Sequence, residues 1–151
     1  MKSSWFVSAL GLLAPAAVVA QAPGVLGDWK TPGGDAVHID RCGPSVCLWI
    51  LSLGPTAPVT TDSSNPDSSL RGRPLCGLKI GSGFSLRDPD HAAGGSLYDP
   101  KSGRTYSGQM AAQGSELHLR GYLLLSIFGR SETWTRTQAP PGACKLADSG
   151  K

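Results

Sequence analysis

Glycine and proline divide this chain so finely that no long helix fits between them. Of 151 residues, 20 are Gly and 12 are Pro. No amphipathic helical pattern survives beyond two turns. What recurs is a set of short β-like runs separated by turn signals, the spacing of a sandwich or barrel. The runs are Leu26–Thr31, Ala36–Arg41, Val46–Leu53, Leu75–Ile80, Gly95–Asp99, Arg104–Ala111, Glu116–Gly121 and Glu132–Thr137. Between them lie Pro32-Gly33-Gly34-Asp35, Gly43-Pro44, Asp99-Pro100-Lys101-Ser102-Gly103 and Gln113-Gly114-Ser115. Each supplies Gly or Pro where the backbone must reverse. Leu117 and Leu119 share one face of their run, opposite Glu116, His118 and Arg120, as in a half-buried antiparallel strand. Cys47–Leu51 is apolar throughout and reads as a central strand.

About eight short strands joined mostly by tight turns predict an all-β chain, folded as a small antiparallel up-and-down barrel. Closure removes the exposed edges that would invite aggregation. A barrel of that size either fills its interior with side chains or holds one small ligand.

The N-terminus has the three parts of a secretion signal. Lys2 gives the positive charge, Trp5 to Val19 is apolar apart from Ser8, Gly11 and Pro15, and Val18 and Ala20 are the small residues before a cut at Gln21. A membrane anchor is the competing reading, but a spanning helix takes about 20 apolar residues and Pro15 interrupts this run. Residues 1–20 are therefore expected to be a signal peptide. Residues 21–151 then form one domain, secreted or periplasmic, with no membrane span after signal removal. A chain of this size buries about two-thirds of its unfolded surface.

Charge excludes one class of partner. The formal net charge is +3, with 14 basic and 11 acidic residues scattered along the chain. Without a dense Lys/Arg run, nucleic acid is not expected.

All four cysteines follow the signal. Exported thiols meet an oxidising compartment, so two disulfides are the expectation. Three pairings are open to four cysteines. Cys42–Cys47 with Cys76–Cys144 is favoured, because Gly43-Pro44-Ser45-Val46 reads as a hairpin turn that sets its flanks opposite each other. His38, His91 and His118 lack the spacing of a zinc finger, so neither metal nor cofactor is expected.

Two stretches carry little to bury. Residues 54–73 are rich in Pro, Ser, Thr and Asp and read as a long surface loop, and residues 138–151 as a loose polar tail held at Cys144. Within the loop, Asp62, Asn65, Asp67, Arg71 and Arg73 crowd together. They read either as an anion- or sugar-binding lip or as a loop pinned by its own side chains. Arg71 and Arg73 are the first candidates for ligand contact, then Asp62 and Asn65, and one arginine is also a candidate partner for Asp62 or Asp67. Tyr98 and Tyr106 flank a turn and offer ligand hydroxyls, or rim packing alone. Tyr122–Phe128 is apolar enough for a buried strand or a contact patch.

Longer motifs carry a resemblance. Gly27-x-Trp29, Cys42-Gly43, Asn65-Pro66-Asp67 and Leu70-Arg71-Gly72-Arg73-Pro74-Leu75-Cys76-Gly77-Leu78 follow in order. Tyr98-Asp99-Pro100-x-Ser102-Gly103-x-x-Tyr106, Leu119-x-Gly121-Tyr122, Phe128-Gly129-Arg130 and Trp134-Thr135-Arg136 complete the series. Together they resemble the bacterial secreted family known as domain of unknown function 2147, over nearly all of the chain after the signal. The chain departs from that pattern at Leu48, where a glycine is expected, and in the insertion His91-Ala92-Ala93. The resemblance implies no activity. Gly27-x-Trp29 with Arg136 is also similar to lipocalin-like (calycin) barrels, which implies that Trp29 closes one end and Arg136 packs across it.

No Gly-x-Ser-x-Gly elbow, His-Glu-x-x-His or phosphate loop is present, so catalysis is not expected and no catalytic residue is named. Three functions stay open. The chain is a binding barrel for a small apolar or amphipathic molecule, a module that binds an envelope protein such as a hydrolase, or a hydrolase with an unrecognised site. The partner is thus an unknown small molecule or an envelope protein. The signal reading makes one prediction: N-terminal sequencing of envelope-fraction protein will begin at Gln21. Soluble protein that retains Met1 would contradict it.

Overall fold

The computed structural model describes residues 24–123 and 129–147. The expected signal peptide lies outside them, as does most of the apolar stretch Tyr122–Phe128. The described residues form eight strands: β1 Gly27–Lys30, β2 Ala36–Cys42, β3 Ser45–Ser52, β4 Lys79–Asp88, β5 His91–Asp99, β6 Arg104–Gln113, β7 Glu116–Tyr122 and β8 Gly129–Arg136. Each pairs antiparallel with the next, and β8 returns to β1, giving a closed up-and-down barrel. The fold is the one the turn spacing predicts.

Two strands differ most from the sequence reading, and β8 begins at Gly129 rather than Glu132. The fourth runs Lys79–Asp88 rather than Leu75–Ile80, and the fifth begins at His91 rather than Gly95. Gly, Ser and Asp between residues 81 and 95 read as loop because they weaken a strand pattern. In the barrel these glycines serve the strands. Gly83 and Gly94 sit at φ 74° and 78°, beside positions where the register shifts by one residue. A bulge residue at positive φ favours glycine. Gly95 and Gly108 answer a packing demand instead. A Cβ on either would lie 2.3 and 2.8 Å from the Phe84 ring. The bare backbone of β5 and β6 therefore makes room for Phe84, which is fully buried.

The β1–β8 seam is short, two residue pairs, Trp29↔Arg136 and Lys30↔Thr135. Side chains reinforce it. The Arg136 guanidinium carbon lies 3.7 Å from the Trp29 ring centroid, while its nitrogens donate to Leu26 O at 2.7 Å and Gly24 O at 2.6 Å. Trp29 Nε1 in turn donates to Val25 O at 2.8 Å. A half-buried cation is tolerable because acceptors and an aromatic face replace the water it loses. This plug joins Val25, Ile39, Val46, Leu48, Phe84, Met110 and Leu117 in one core cluster that fills its end of the barrel.

β3 is buried on both faces. Its outer face is covered by the C-terminal segment, which is not loose as its polarity predicts. Cys76–Cys144 anchors the segment, Cys144 N donates to Leu51 O at 2.8 Å, Ala147 N donates to Gly77 O at 2.9 Å, and Trp49 Nε1 donates to Ala147 O at 2.7 Å. The second bridge, Cys42–Cys47, clips the β2–β3 hairpin. The two bridges close loops of very different length, with separations of 5 and 68 residues. In the loop-entropy model they contribute about 2 and about 4 kcal/mol. Replacing Cys76 and Cys144 by Ser should therefore lower Tm more than replacing Cys42 and Cys47. It should also red-shift tryptophan emission as Trp49 loses its cover. Equal Tm losses without a shift would refute the assignment.

Candidate functional site

The barrel is filled at one end and hollow at the other. The hollow is a cavity of about 540 Å³. Its walls are Val37, Ile50, Ile80, Leu97, Leu119 and Trp134, inward residues of six strands. It opens among the β1–β2 turn, the loop between β3 and β4, and the β5–β6 turn. Small-molecule sites commonly have about 300–1,000 Å³ of apolar space and a few placed polar groups.

The polar groups here come from two places. The first is β8, where period-two alternation puts Arg130, Glu132, Trp134 and Arg136 on one inward row. Arg136 belongs to the plug, and the other three line the cavity. Trp134 Nε1 donates to Glu132 Oε2 at 2.8 Å. The second place is the rim. Asp35 Oδ1 accepts from Gly54 N at 2.8 Å, and Asp99 accepts from Lys101 N at 3.0 Å and Ser102 Oγ at 2.7 Å. Both carboxylates thus hold turns in place.

The long loop is less exposed than its composition predicts. Asp62 is fully buried and Asn65 nearly so. Asp62 Oδ1 accepts from Tyr98 OH at 2.5 Å. Its Oδ2 accepts from Asn65 Nδ2 at 2.7 Å and from both Nε and a terminal nitrogen of Arg73 at 2.8 Å. Arg71 Nε donates to Asn65 O at 2.8 Å. Thr61 bridges Pro74, and Asp67 caps the 3-10 turn Ser68–Leu70. Behind this network Leu75 and Leu78 pack on Ile50 in a second apolar cluster. A buried carboxylate persists only when its oxygens are satisfied, and this one is. Burial pushes the Asp62 carboxyl up, but the hydrogen bonds from Tyr98, Asn65 and Arg73 and the Arg73 charge outweigh it, so it lies below the ordinary 3.8. Burial first, then the bond to Asp62, raises the Tyr98 phenol to about 12.

The family model for uncharacterised proteins conserved in bacteria (DUF2147) matches residues 27–136. The chain belongs to the DUF2147 family. Among solved structures it resembles HP1028 from the human pathogen Helicobacter pylori, described as a member of the lipocalin family. The TM-score is 0.68 at 20% identity, covering 78% of this chain and 84% of that one. At that identity the likeness concerns the fold, a lipocalin-like barrel. No curated protein matches in sequence.

In this DUF2147 chain, of the five residues singled out for ligand contact, Tyr98 lines the cavity. Asp62, Asn65, Arg71 and Arg73 join the network that holds the loop. The sequence reading missed Lys101, Arg130 and Glu132. A signal existed for the last two, since Trp134 and Arg136 define an inward face and a step of two continues it to Glu132 and Arg130. The histidines sit elsewhere. His38 pairs with Asp28 at 2.6 Å, His91 with Asp88 at 2.8 Å and His118 lies 3.7 Å from Glu116, and none of the three lines the hollow end.

The Asp62 network generates a pH prediction. A carboxyl whose folded-state value is depressed contributes stability above the unfolded value and loses it as pH falls through the folded one. The contribution of Asp62 should therefore be full above about pH 4 and fade below 3.8. Tyr98→Phe leaves Oδ1 without its donor and should cost about 1–3 kcal/mol at neutral pH. It should also flatten the acid limb of the stability curve, as denaturant titration between pH 2 and pH 7 would read. An unchanged acid limb would contradict the role given to Asp62.

Proposed function

We propose that this protein binds rather than reacts, and that its ligand is a small apolar or amphipathic molecule held in the open half of the barrel, in the periplasm or outside the cell. The observation that carries the reading is the cavity of about 540 Å³, walled mostly by aliphatic and aromatic side chains. An eight-stranded barrel with its interior fully packed would favour a protein-binding module acting through its rim. A cluster of titratable groups converging in the cavity would favour a hydrolase. Here a rim pinned by hydrogen bonds surrounds open apolar volume, with Asp35 and Asp99 bonded to turns and Glu132 to the Trp134 indole. The lipocalin-like fold of the Helicobacter pylori neighbour supports the same reading, as barrels of this kind have room for one small ligand. Two disulfides support an extracytoplasmic setting. Residues 21–151 then act as one binding domain, with the loop at 54–73 as a fixed part of the rim.

Gly121 offers a direct test. It faces the cavity, and a Cβ there meets nothing closer than Tyr106 Cβ at 3.4 Å. Gly121→Leu should fold with nearly the wild-type Tm while filling the space. Wild-type protein should bind an uncharged environment-sensitive apolar dye such as N-phenyl-1-naphthylamine at one site per chain, and Gly121→Leu should lose at least about tenfold in affinity, the scale of a few buried methylenes. Equal binding by both proteins would place the dye outside the barrel and sink the reading.

A further inference from the structure

Gly121 also creates a notch in the cavity wall. On β8 the residue directly opposite is Arg130, and on β6 the nearest side chain is Tyr106. With no side chain on Gly121, bare backbone separates Arg130 and Tyr106, and both residues line the cavity. Neither has a hydrogen bond or ion pair among the described residues. Lys101 reaches over the same mouth from the β5–β6 turn, its Nζ 3.4 Å from where a Cβ on Gly33 would stand. The carboxylates nearby are already engaged. Asp35 and Asp99 cap turns, and Glu132 accepts the Trp134 indole. Three donor side chains thus line the apolar cavity's opening, none of them with a hydrogen bond or ion pair to a described residue.

We propose that Arg130, with Tyr106 and Lys101, forms a head-group subsite for an anionic amphiphile, a single apolar chain ending in a carboxylate or phosphate. The proposal rests on the cavity reading above and specifies its ligand class. A guanidinium presents a planar fork matched to two oxygens of such a head, and a phenol adds a third donor. The aliphatic wall from Val37 to Leu119 takes the chain. The position at the mouth keeps the charged head near water while the chain is buried, the arrangement that costs least desolvation.

The test compares heads on one chain length. Dodecanoate, dodecyl phosphate, dodecanol and dodecylamine are titrated as competitors of the dye below their micelle concentrations. The expected order is the two anions first, by about tenfold over dodecanol, the scale of one charge-assisted contact, with the amine weakest. In Arg130→Gln the anions should fall to the level of dodecanol while dodecanol itself is unchanged. If all four bind equally, or the amine binds best, the subsite is refuted and the cavity stands, and the amine result would assign the head to Glu132. If none displaces the dye, the cavity reading fails with it. Between the anions, phosphate over carboxylate would point to a phospholipid-derived ligand, and the reverse order to a free fatty acid.

Discussion

Closure of the barrel depends on one cation over one indole. β1 is four residues long and meets β8 over two residue pairs, too few to hold a sheet edge by backbone bonds alone. Arg136 completes the seam, stacking on Trp29 and donating to two carbonyls of the segment that precedes β1. Such a contact is worth roughly 0.5–2 kcal/mol by its cation–π part. Its larger consequence is steric. With Trp29 and the residues before it plugging one end, whatever the barrel admits must enter at the other.

The division into a filled half and a hollow half follows from side-chain size along the inner face. Near the plug the strands supply Ile39, Leu48, Phe84, Met110 and Leu117, all buried in one cluster. Phe84 fits because its neighbours across the sheet, Gly95 and Gly108, have no side chains to meet it. The same row continues through Gly121 to Arg130, since Gly95 pairs with Gly108, Gly108 with Gly121 and Gly121 with Arg130. Glycine thus makes room for a ring at one point of the row and leaves space empty at another. What differs is whether a large neighbour occupies the gap.

The mouth is kept open by polar chemistry. A loop of more than twenty residues between β3 and β4 would not hold a shape on its apolar content. Asp62 holds it, by drawing Tyr98 of β5, Asn65 and Arg73 to one carboxylate. Removing Tyr98 would strand Oδ1, while Asn65 and Arg73 share Oδ2, so the three partners act through one buried carboxylate. The Cys76–Cys144 bridge fixes the end of the same loop to the C-terminal segment, which then covers Trp49. Loop and tail, the two stretches that look dispensable by composition, hold the mouth and cover β3.

The sequence alone determined the all-β class, the strand number, the barrel and that Trp134 and Arg136 share one face of their strand, because period-two alternation and turn residues are local properties. It misplaced β4 and β5, because Gly81, Gly83, Gly94 and Gly95 weaken a local strand pattern, and only the folded barrel explains them: Leu48 and Phe84 crowd Gly81 and Gly95, and bulges at positive φ need Gly83 and Gly94. It read the Asp62–Arg73 residues as a surface loop, because hydrophobicity counts a lone carboxylate as exposed. Burial was decided by Tyr98, a residue 36 positions away that reaches the loop only once β5 is in the sheet. Arg130 and Glu132 were legible as an inward row, yet their facing an empty cavity was not, since a hollow is the absence of contacts among residues from six strands. Only the tertiary structure decides that, because volume left unfilled belongs to no single segment of the chain.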